Sequence, residues 1–364
     1  MKLENLLDYT QPTQYIVSNE FYDDSYKTPV LTAGKTFILG NTNDEDGIYK
    51  ASKSPIILFD DFTTDTKWVD FDFKVKSSAC KILTLKNANS VEDLKYIYYA
   101  MINIKFDASQ HMRYWISKYS QCKIAYPEKN KRLYVVRTLD SINQIILRER
   151  QRLQLLDELI KSRFNEMFGD VDSNTHTYPS FKIGTQFSLG AGGTPSTQNK
   201  EYWDNGTISW IGSNMCQNVI IYKNDGKYIT EKGYANSSAK LFYPDTVLIA
   251  LVGATIGKVA LLKFETTTNQ NVLGMWDIKK NGYNPYYVYY YMQAICGKFK
   301  SIGDNFKMAS KSFVSNLDIL KPSLEKQNEF AYFVEQIDKL KFNVQKRIDL
   351  YQELLDKKMD EYFG

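Results

Sequence analysis

Residues 253–259 form the most suggestive catalytic motif of this 364-residue chain, Gly-Ala-Thr-Ile-Gly-Lys-Val. A nucleotide-binding P-loop has one more residue between its glycines, and a Ser or Thr follows its lysine so that the hydroxyl can reach Mg²⁺. Here Val259 follows Lys258. The segment also continues into an apolar run that is typical of a strand, whereas a P-loop begins a helix. These differences predict that the motif does not bind a nucleotide.

Two other patterns resemble catalytic motifs only in part. Asn284-Pro-Tyr-Tyr287 resembles the Asn-Pro-Pro-Tyr motif of adenine methyltransferases, but one proline is absent. An asparagine cap at the start of a tyrosine-rich helix explains it better. His111 and His176 are the only histidines, and neither lies beside a candidate nucleophile, which argues against a hydrolase triad.

The sequence does not indicate metal-dependent chemistry either. Asp60 and Asp61, with Asp65 and Lys67 nearby, are explained more simply as a polar loop than as a nuclease site. The cysteines show neither the paired spacing of a zinc site nor the framework of a disulfide-rich domain, which predicts four buried thiols: Cys80, Cys122, Cys216 and Cys296. We therefore predict that the chain binds no metal and no cofactor.

The composition is that of an ordinary globular protein, with 43% hydrophobic and 24% charged residues. The 46 basic and 42 acidic side chains leave a net charge of +4, which permits binding to nucleic acid but does not indicate it. The sequence has no apolar run long enough to cross a bilayer and no secretory signal at its start. We expect a cytoplasmic protein.

A long polar segment gives a different kind of signal. Residues 192–211 read Gly-Gly-Thr-Pro-Ser-Thr-Gln-Asn-Lys-Glu-Tyr-Trp-Asp-Asn-Gly-Thr-Ile-Ser-Trp-Ile. Thr, Ser, Gln, Asn and Lys side chains suit contacts to phosphates and base edges, although any surface loop is polar. This segment is a candidate for DNA contact.

The chain contains an internal repeat. The segment 350–364 matches 155–169 at an offset of 195 residues, and both end in Phe-Gly. Pro322 and Pro127 match at the same offset. A second similarity relates 287–292 to 96–101, both rich in tyrosine, at an offset of 191. The sequence therefore consists of two related halves, each with a globular region followed by a helix.

Each half ends in a helix with the apolar spacing of a coiled-coil seam. The seam residues of the first helix are Leu139, Ile142, Ile146, Leu153, Leu156 and Ile160. Those of the second helix are Val334, Ile337, Val344, Ile348, Tyr351 and Leu355. Two such seams bury each other when the helices pack antiparallel; the alternative is that each helix packs on its own domain.

The globular regions are predicted to be mixed α/β, which gives an α+β fold class. Strand-like runs occupy residues 54–59, 71–76, 81–85, 246–252 and 258–263. A tyrosine-rich helix follows the strands in each half.

Several segments together resemble type I restriction specificity subunits. Residues 192–211 are similar to the Gly-Thr-Pro-Ser…Tyr-Trp…Gly-x-Ile-x-Trp-Ile signature of that family. Three later segments resemble the next sequence blocks of the family, in the same order: residues 243–249, 253–259 and 268–271. Pro322, with Gln327 and Phe330, resembles the start of the family's second conserved helix. In the first half, residues 29–36 and 57–62 resemble blocks of other target-recognition domains. The resemblance covers nearly the whole chain.

This resemblance implies target-recognition domains at residues 1–136 and 170–323, and conserved spacer helices at 137–169 and 324–364. Each domain would read one half of a split site in double-stranded DNA. The helices would set the distance between half-sites and dock two methyltransferase (modification) subunits, and restriction subunits would join the complex. The chain itself would carry out no chemistry.

The site residues that we expect fall into three groups. In the first domain, the residues expected to contact DNA are Lys35, Thr36, Asn41, Lys67 and Arg113. In the second domain, they are Thr194, Ser196, Thr197, Lys200, Lys258, Asn269 and Lys311. On the helices, the residues expected to bind the partner subunits are Arg148, Arg152, Lys346 and Arg347.

The first half departs from the family pattern in two ways. It lacks the Gly-Thr-Pro-Ser block, and Arg132 stands at the position equivalent to Gln327. The two domains are therefore expected to differ in type and to read an asymmetric target. Other interpretations are a lone methyltransferase or nuclease, a coiled-coil scaffold without DNA contact, and a regulator or immunity protein that uses this fold.

Overall fold

The computed structural model describes residues 1–32, 36–87, 90–110, 112–300 and 309–364. The chain divides into two compact units. Unit 1 comprises residues 1–151 and 345–364, and unit 2 comprises residues 152–344. Each unit therefore contains a globular region and part of each long helix.

Unit 1 is built on two small sheets. Its strands are β1 (Leu7–Thr10), β2 (Thr28–Leu31), β3 (Ile38–Thr42), β4 (Ile56–Asp60), β5 (Thr66–Val69), β6 (Lys74–Val75) and β7 (Cys80–Leu85). One sheet is antiparallel with the order β1-β7-β4-β5, and the other has the order β3-β2-β6. Its short helices are α1 (Val91–Ile102) and α2 (Tyr114–Ser117).

Strand β4 occupies the centre of unit 1, and all of its residues are buried. Because side chains alternate across a sheet, Ile57 and Phe59 pack into one hydrophobic cluster, and Ile56 and Leu58 pack into another. A strand covered on both faces reads as a continuous apolar run, as residues 56–59 do.

The strands predicted at 54–59 and 81–85 are present as β4 and β7, but the strand predicted at 71–76 is much shorter. Only Lys74–Val75 forms a strand there, as β6. Phe73 instead exchanges backbone hydrogen bonds with Tyr49 in an isolated bridge. The pairing partner thus changes from one segment to another at residue 74, which sequence periodicity does not reveal.

Unit 2 contains a five-stranded and a four-stranded sheet, with a two-stranded ribbon. Its strands are β8 (Ser180–Lys182), β9 (Ser188–Ala191), β10 (Ile208–Ile211), β11 (Val219–Ile221), β12 (Tyr228–Ile229), β13 (Leu241–Phe242), β14 (Val247–Ala250), β15 (Val259–Leu262), β16 (Thr266–Thr268), β17 (Val272–Trp276) and β18 (Asp318–Leu320). The sheet orders are β11-β15-β14-β17-β9, β12-β10-β16-β13 and β18-β8. The predicted strands at 246–252 and 258–263 correspond to β14 and β15. The short helices of unit 2 are α4 (Ile183–Gln186), α5 (Glu231–Ala235), α6 (Pro285–Cys296) and α7 (Lys311–Ser315).

The tyrosine-rich helices predicted from the repeat are α1 and α6. The Asn284 side chain accepts a hydrogen bond from the backbone N–H of Tyr286 at 2.9 Å, which confirms that this asparagine caps α6. The two helices also make equivalent hydrogen bonds. Tyr287 donates its hydroxyl to the Leu320 carbonyl at 2.9 Å, and the equivalent Tyr96 donates to the Ala125 carbonyl at 3.1 Å.

Arg132 and Gln327 make corresponding contacts, although their side chains differ. Gln327 is fully buried, accepts a hydrogen bond from the Asn284 N–H, and donates one to the Pro322 carbonyl. Arg132 donates to the Pro127 carbonyl and pairs with Asp93, whose position is equivalent to Asn284. Both residues therefore connect the start of a long helix to the start of a tyrosine-rich helix. The start of the first long helix therefore uses an ion pair where the second uses an amide, but it makes contacts at equivalent positions.

The two long helices are α3 (Lys129–Phe168) and α8 (Leu324–Phe363). Helix α3 begins eight residues before residue 137, and α8 begins at residue 324. The seam predicted from the apolar spacing starts at Leu139, whereas Val135 and Val136 are also buried in the structure. Gly169 follows α3 with a φ of +75°, the left-handed conformation that glycine adopts at helix ends.

The long helices pack antiparallel within each unit, as predicted. In unit 2, Asp157 of α3 pairs with Lys341 of α8, and Arg163 of α3 pairs with Glu329 of α8. Residue numbers thus increase along α3 as they decrease along α8, which is antiparallel packing. In unit 1, the rings of Tyr134 and Tyr362 are adjacent, and Glu149 pairs with Arg347 at 3.0 Å. The seam residues at the centre of these contacts are buried: Leu139, Ile142, Ile146, Ile160, Val334, Ile337, Val344 and Ile348.

Candidate nucleic-acid interface

In unit 2, the polar loop that follows β9 is anchored through two glycines. The N–H of Gly192 donates to the Val272 carbonyl at 3.1 Å, and that of Gly193 donates to the Thr268 carbonyl at 2.8 Å. A Cβ on Gly192 would lie 2.1 Å from the Thr268 hydroxyl oxygen and 2.3 Å from its carbonyl oxygen. Glycine is therefore required for the loop to approach this backbone closely.

This approach brings Thr194 into contact with Gln270, the residue that follows Asn269. The Thr194 hydroxyl donates to the side-chain oxygen of Gln270 at 2.6 Å, and the Asn269 N–H donates to the Ile211 carbonyl at 3.2 Å. Thr194 and Asn269 are half-buried, whereas Gln270 is exposed. Gln270 was not among the predicted DNA-contacting residues, although it lies inside the block 268–271 that suggested the family.

Lys258 contacts the segment that follows β10. Its ammonium group donates to the side-chain oxygen of Gln217, and the Gln217 amide donates to the Asn214 carbonyl at 3.0 Å. The preceding residues 253–255 form a short 3₁₀ turn that leads into β15. This confirms that the segment runs into a strand and does not open a helix, as a P-loop would.

Ser196, Thr197 and Lys200 are exposed on the loop itself. The backbone beneath them is held by Trp203, whose indole N–H donates to the Ser196 carbonyl at 3.1 Å. Asn199 caps the turn at residues 200–202 through its side chain. Polar side chains are thus presented on a fixed backbone. Lys311 is exposed at the start of α7, a separate element of unit 2.

In unit 1, Lys67 and Arg113 each contact a residue of the β4–β5 turn. Lys67 pairs with Asp65 at 3.1 Å. The Arg113 guanidinium lies 5.9 Å from the ring centre of Phe62, within the same turn. The Asp60 carboxylate accepts hydrogen bonds from the N–H groups of residues 62 and 63, which fixes the turn.

The remaining predicted residues of unit 1 lie around the other sheet. Asn41 is half-buried on β3, opposite Pro29 of β2, and Thr36 is exposed just before β3. The predicted residue Lys35 lies outside the described residues. No described contact connects this group with Lys67 and Arg113.

A buried ion pair beneath the β4–β5 turn was not predicted. The Lys81 ammonium lies 2.9 Å from the Asp61 carboxylate, and the two side chains are 0% and 1% exposed. Asp61 also accepts a hydrogen bond from the Trp115 N–H at 2.8 Å, next to the start of α2. The polar-loop interpretation of residues 60–61 is therefore wrong: Asp60 is buried at the end of β4, and Asp61 is a buried structural residue.

The residues predicted to bind partner subunits lie on the long helices. Arg148, Arg152 and Lys346 are exposed. Arg347 is half-buried and pairs with Glu149 at 3.0 Å, so it contributes to the packing of α8 against α3 in unit 1. Arg152 and Arg347 are equivalent positions in the repeat.

The described cysteines are reduced, and three of them are buried. Burial raises the pKa of the Cys80 and Cys216 thiols to about 12, so both remain protonated at neutral pH. In the part of the chain that the structure describes, no group of His, Cys, Asp and Glu side chains could hold a metal ion. Within those same ranges, none of the helices is long and apolar enough to cross a membrane.

Comparison with known proteins agrees with the motifs. Residues 176–352 match the type I restriction modification DNA specificity domain. The chain is 34% identical to the type I restriction enzyme EcoR124I/EcoR124II specificity subunit of Escherichia coli, over all of this chain and 92% of that protein. The chain belongs to the family of type I restriction enzyme specificity subunits. Its function is therefore DNA recognition within a type I restriction–modification complex.

Two further similarities extend this assignment. The type I restriction enzyme MjaIX specificity subunit of Methanocaldococcus jannaschii is 30% identical over 54% of this chain and 46% of that protein. A crystal structure of the type I specificity subunit from M. genitalium has the same fold, with a TM-score of 0.56 at 14% identity. That comparison covers the whole of this chain and 95% of the other. The α+β fold with two long helices is thus the fold of this family.

Proposed function

We propose that each globular region reads one half of a split DNA site, and that the long helices set the spacing between the halves. The main support is the internal repeat. The tyrosine-rich helices and the starts of the long helices make equivalent contacts in both units, whereas the loops that carry the predicted DNA contacts differ. A common frame with different loops suits two readers of different half-sites.

The proposed division follows the domain boundaries predicted from the sequence. Residues 1–136 and 170–323 recognise DNA, and residues 137–169 and 324–364 act as spacer and docking helices. Two modification subunits and the restriction subunits supply the chemistry, and this chain supplies recognition alone. We place the complex in the cytoplasm, with the DNA it acts on.

A methylation map tests this division of labour. The chain is co-expressed with its neighbouring modification subunit, and methylated adenines are mapped across the genome. We expect a motif of two defined halves around a fixed gap. Exchange of residues 1–135 for those of another specificity subunit should alter one half only. A motif that changes in both halves, or the absence of a split motif, would contradict the proposal.

Lys200 tests the predicted phosphate contacts. In Lys200→Ala, DNA affinity should fall for all sequences, and the slope of log K against log[salt] should become less steep by about 1. Lys357→Ala, which removes an exposed lysine from α8, is the matched control and should leave the slope unchanged. An unchanged slope in the Lys200 variant would exclude a phosphate contact by this residue.

A further inference from the structure

The turn between β16 and β17 in unit 2, residues 269–271, is held by hydrogen bonds on both sides of its central residue. The Asn269 N–H donates to the Ile211 carbonyl at 3.2 Å, and the Asn271 carbonyl accepts a bond of 2.9 Å from the residue that follows β14. Within the turn, the Asn271 N–H donates to the side-chain oxygen of Asn269 at 3.1 Å. The backbone of the central residue, Gln270, is therefore fixed, while its side chain is exposed.

The side chain of Gln270 is also held in one orientation. Its amide oxygen accepts a hydrogen bond from the Thr194 hydroxyl at 2.6 Å, which fixes which end of the amide is oxygen and which is nitrogen. An amide oxygen has two lone pairs, so one acceptor position remains. The N–H groups of this amide have no hydrogen-bond partner among the described residues. Gln270 therefore offers an acceptor and donors side by side at the surface.

The contact is not needed to hold the loop to the turn. The N–H groups of Gly192 and Gly193 already donate to the backbone of β17 and β16. A long surface side chain that keeps one rotamer gives up conformational entropy, and an exposed hydrogen bond returns little. The gain comes on binding, because a side chain that is ordered in advance loses less freedom when a ligand arrives.

Gln217, another exposed amide of unit 2, shows the contrast. Its oxygen accepts from the Lys258 ammonium group, and its nitrogen donates to the Asn214 carbonyl at 3.0 Å. Both ends of that amide are engaged within the protein, so its bonds hold its own segment in place. Gln270 is held at one end only and keeps its donors for a ligand.

The major-groove edge of adenine matches this pattern. Adenine presents there an acceptor, N7, beside a donor, the N6 amino group, and a glutamine amide pairs with both at once. Guanine presents two acceptors, and thymine presents an acceptor and a methyl group, so neither uses the remaining lone pair of the Gln270 oxygen. Cytosine presents a donor alone and leaves the amide N–H groups unpaired.

We propose that Gln270 reads an adenine in the half-site recognised by unit 2, and that Thr194 is the positioning residue that orients its amide. This inference rests on the proposed reading of one half-site by each globular region, and it adds the residue and the base. The same loop continues from Thr194 to the exposed Lys200, whose proposed phosphate contact would set the register while Gln270 supplies sequence information.

The test uses the full chain in complex with its modification subunit. The half-site of unit 2 is the half that stays unchanged when residues 1–135 are exchanged. Dissociation constants are measured for duplexes in which each base pair of that half is replaced in turn. Replacement of one A·T pair should weaken binding by roughly tenfold to hundredfold, and Gln270→Met should abolish the discrimination at that pair while leaving it at the other positions.

Gln270→Glu should produce a change of preference, which a loss of structure cannot produce. The carboxylate still accepts from the Thr194 hydroxyl but has no N–H group, and an acceptor alone pairs with the N4 amino group of cytosine. Preference at the same position should therefore shift from A·T toward C·G. Gln186→Glu is the matched control, because it adds the same charge to unit 2 at the opposite end of the β9–β17 pair. It should leave the preference unchanged at every position.

Two substitutions of Thr194 test its positioning role. Thr194→Val removes the hydroxyl and frees the Gln270 amide to turn over, so discrimination at the same A·T pair should fall by roughly twofold to tenfold. Thr194→Ser keeps a hydroxyl and should retain the discrimination of the unaltered complex. Equal discrimination in the Val and Ser variants would exclude the positioning role.

The outcomes distinguish this inference from the proposed function. A unit 2 half-site without an A·T pair, or Gln270 variants that keep the original preference at every position, would overturn the assignment and leave the reading of two half-sites intact. A discrimination that falls equally at all positions in Gln270→Met would indicate a structural role and would overturn the assignment as well. If the unaltered complex reads no split site, the proposed function and this inference both fail.

Discussion

The buried ion pair between Lys81 and Asp61 makes a quantitative prediction about unit 1. The perturbation is Lys81→Met, which keeps the length of the side chain and removes its charge. The Asp61 carboxylate would then remain buried with its hydrogen bond from the Trp115 N–H but without a cation. Because a buried charge without a partner is costly, we expect the free energy of unfolding to fall by about 3–5 kcal/mol.

The matched control is Lys50→Met in the same unit. Lys50 pairs with Asp72 at 3.1 Å, but the two side chains are 54% and 34% exposed. Water and salt screen such a pair, so its loss should cost about 0–1 kcal/mol. A double variant, Lys81→Met with Asp61→Asn, removes both buried charges and keeps an acceptor for the Trp115 N–H. It should recover most of the lost stability.

Hydrogen exchange, measured by mass spectrometry on peptides from β4 and β7, reports the stability of unit 1 separately from that of unit 2. A loss of 3–5 kcal/mol corresponds to exchange that is faster by roughly two to four orders of magnitude, wherever exchange requires unfolding of the unit. Equal exchange rates in Lys81→Met and Lys50→Met would refute the argument that burial determines the cost. A double variant no more stable than Lys81→Met would show that the residual charge is not the cause.

Two further predictions concern single side chains. The hydrogen bond from Lys74, and next the Ser18 N–H, lower the pKa of Asp44 from 3.8 to about 2. A carboxylate whose pKa is lower in the folded protein than in the unfolded chain stabilises the fold fully above the unfolded pKa, and this stabilisation is lost as pH falls through the folded pKa. The melting temperature should therefore drop between about pH 4 and pH 2. In Asp44→Asn the drop over this range should be less steep. Gln327→Met leaves the Asn284 N–H and the Pro322 carbonyl unpaired, which should cost about 2–4 kcal/mol in unit 2. Amide exchange in unit 2 measures this change, and a loss below about 1 kcal/mol would contradict it.

The sequence predicted the parts of the fold that depend on periodicity. The seam residues Ile142 and Ile337 are spaced for a helix, and both are buried where α3 and α8 pack. The Asn284 cap and Gly169 mark helix ends through local chemistry that acts within a few residues. The strand predicted at 71–76 was too long, because its pairing partner changes at Lys74. Pairing of distant segments leaves no local signal.

The sequence predicted which kinds of side chain the candidate DNA interface contains, but not which of them lie next to one another. The segment that carries Thr194 attracts attention because polar residues follow a glycine pair. Its contact with Gln270 joins residues 76 positions apart in the chain, and only the β9–β17 pairing brings them together. The sequence likewise shows Asp60 and Asp61 as neighbours, and only the fold buries both: Asp60 ends β4 and fixes the turn that follows, whereas Asp61 pairs with Lys81.

The sequence by itself determined the family, the repeat and the two long helices, since each depends on residue order or on the period of apolar residues along one segment. Only the tertiary structure decided which charges are buried and which loops meet. Those features depend on the separation of atoms from distant segments, and the energy of a charge depends on everything that surrounds it. The pair between Lys81 and Asp61 is of this kind: no local pattern marks either residue, and the fold of unit 1 buries both.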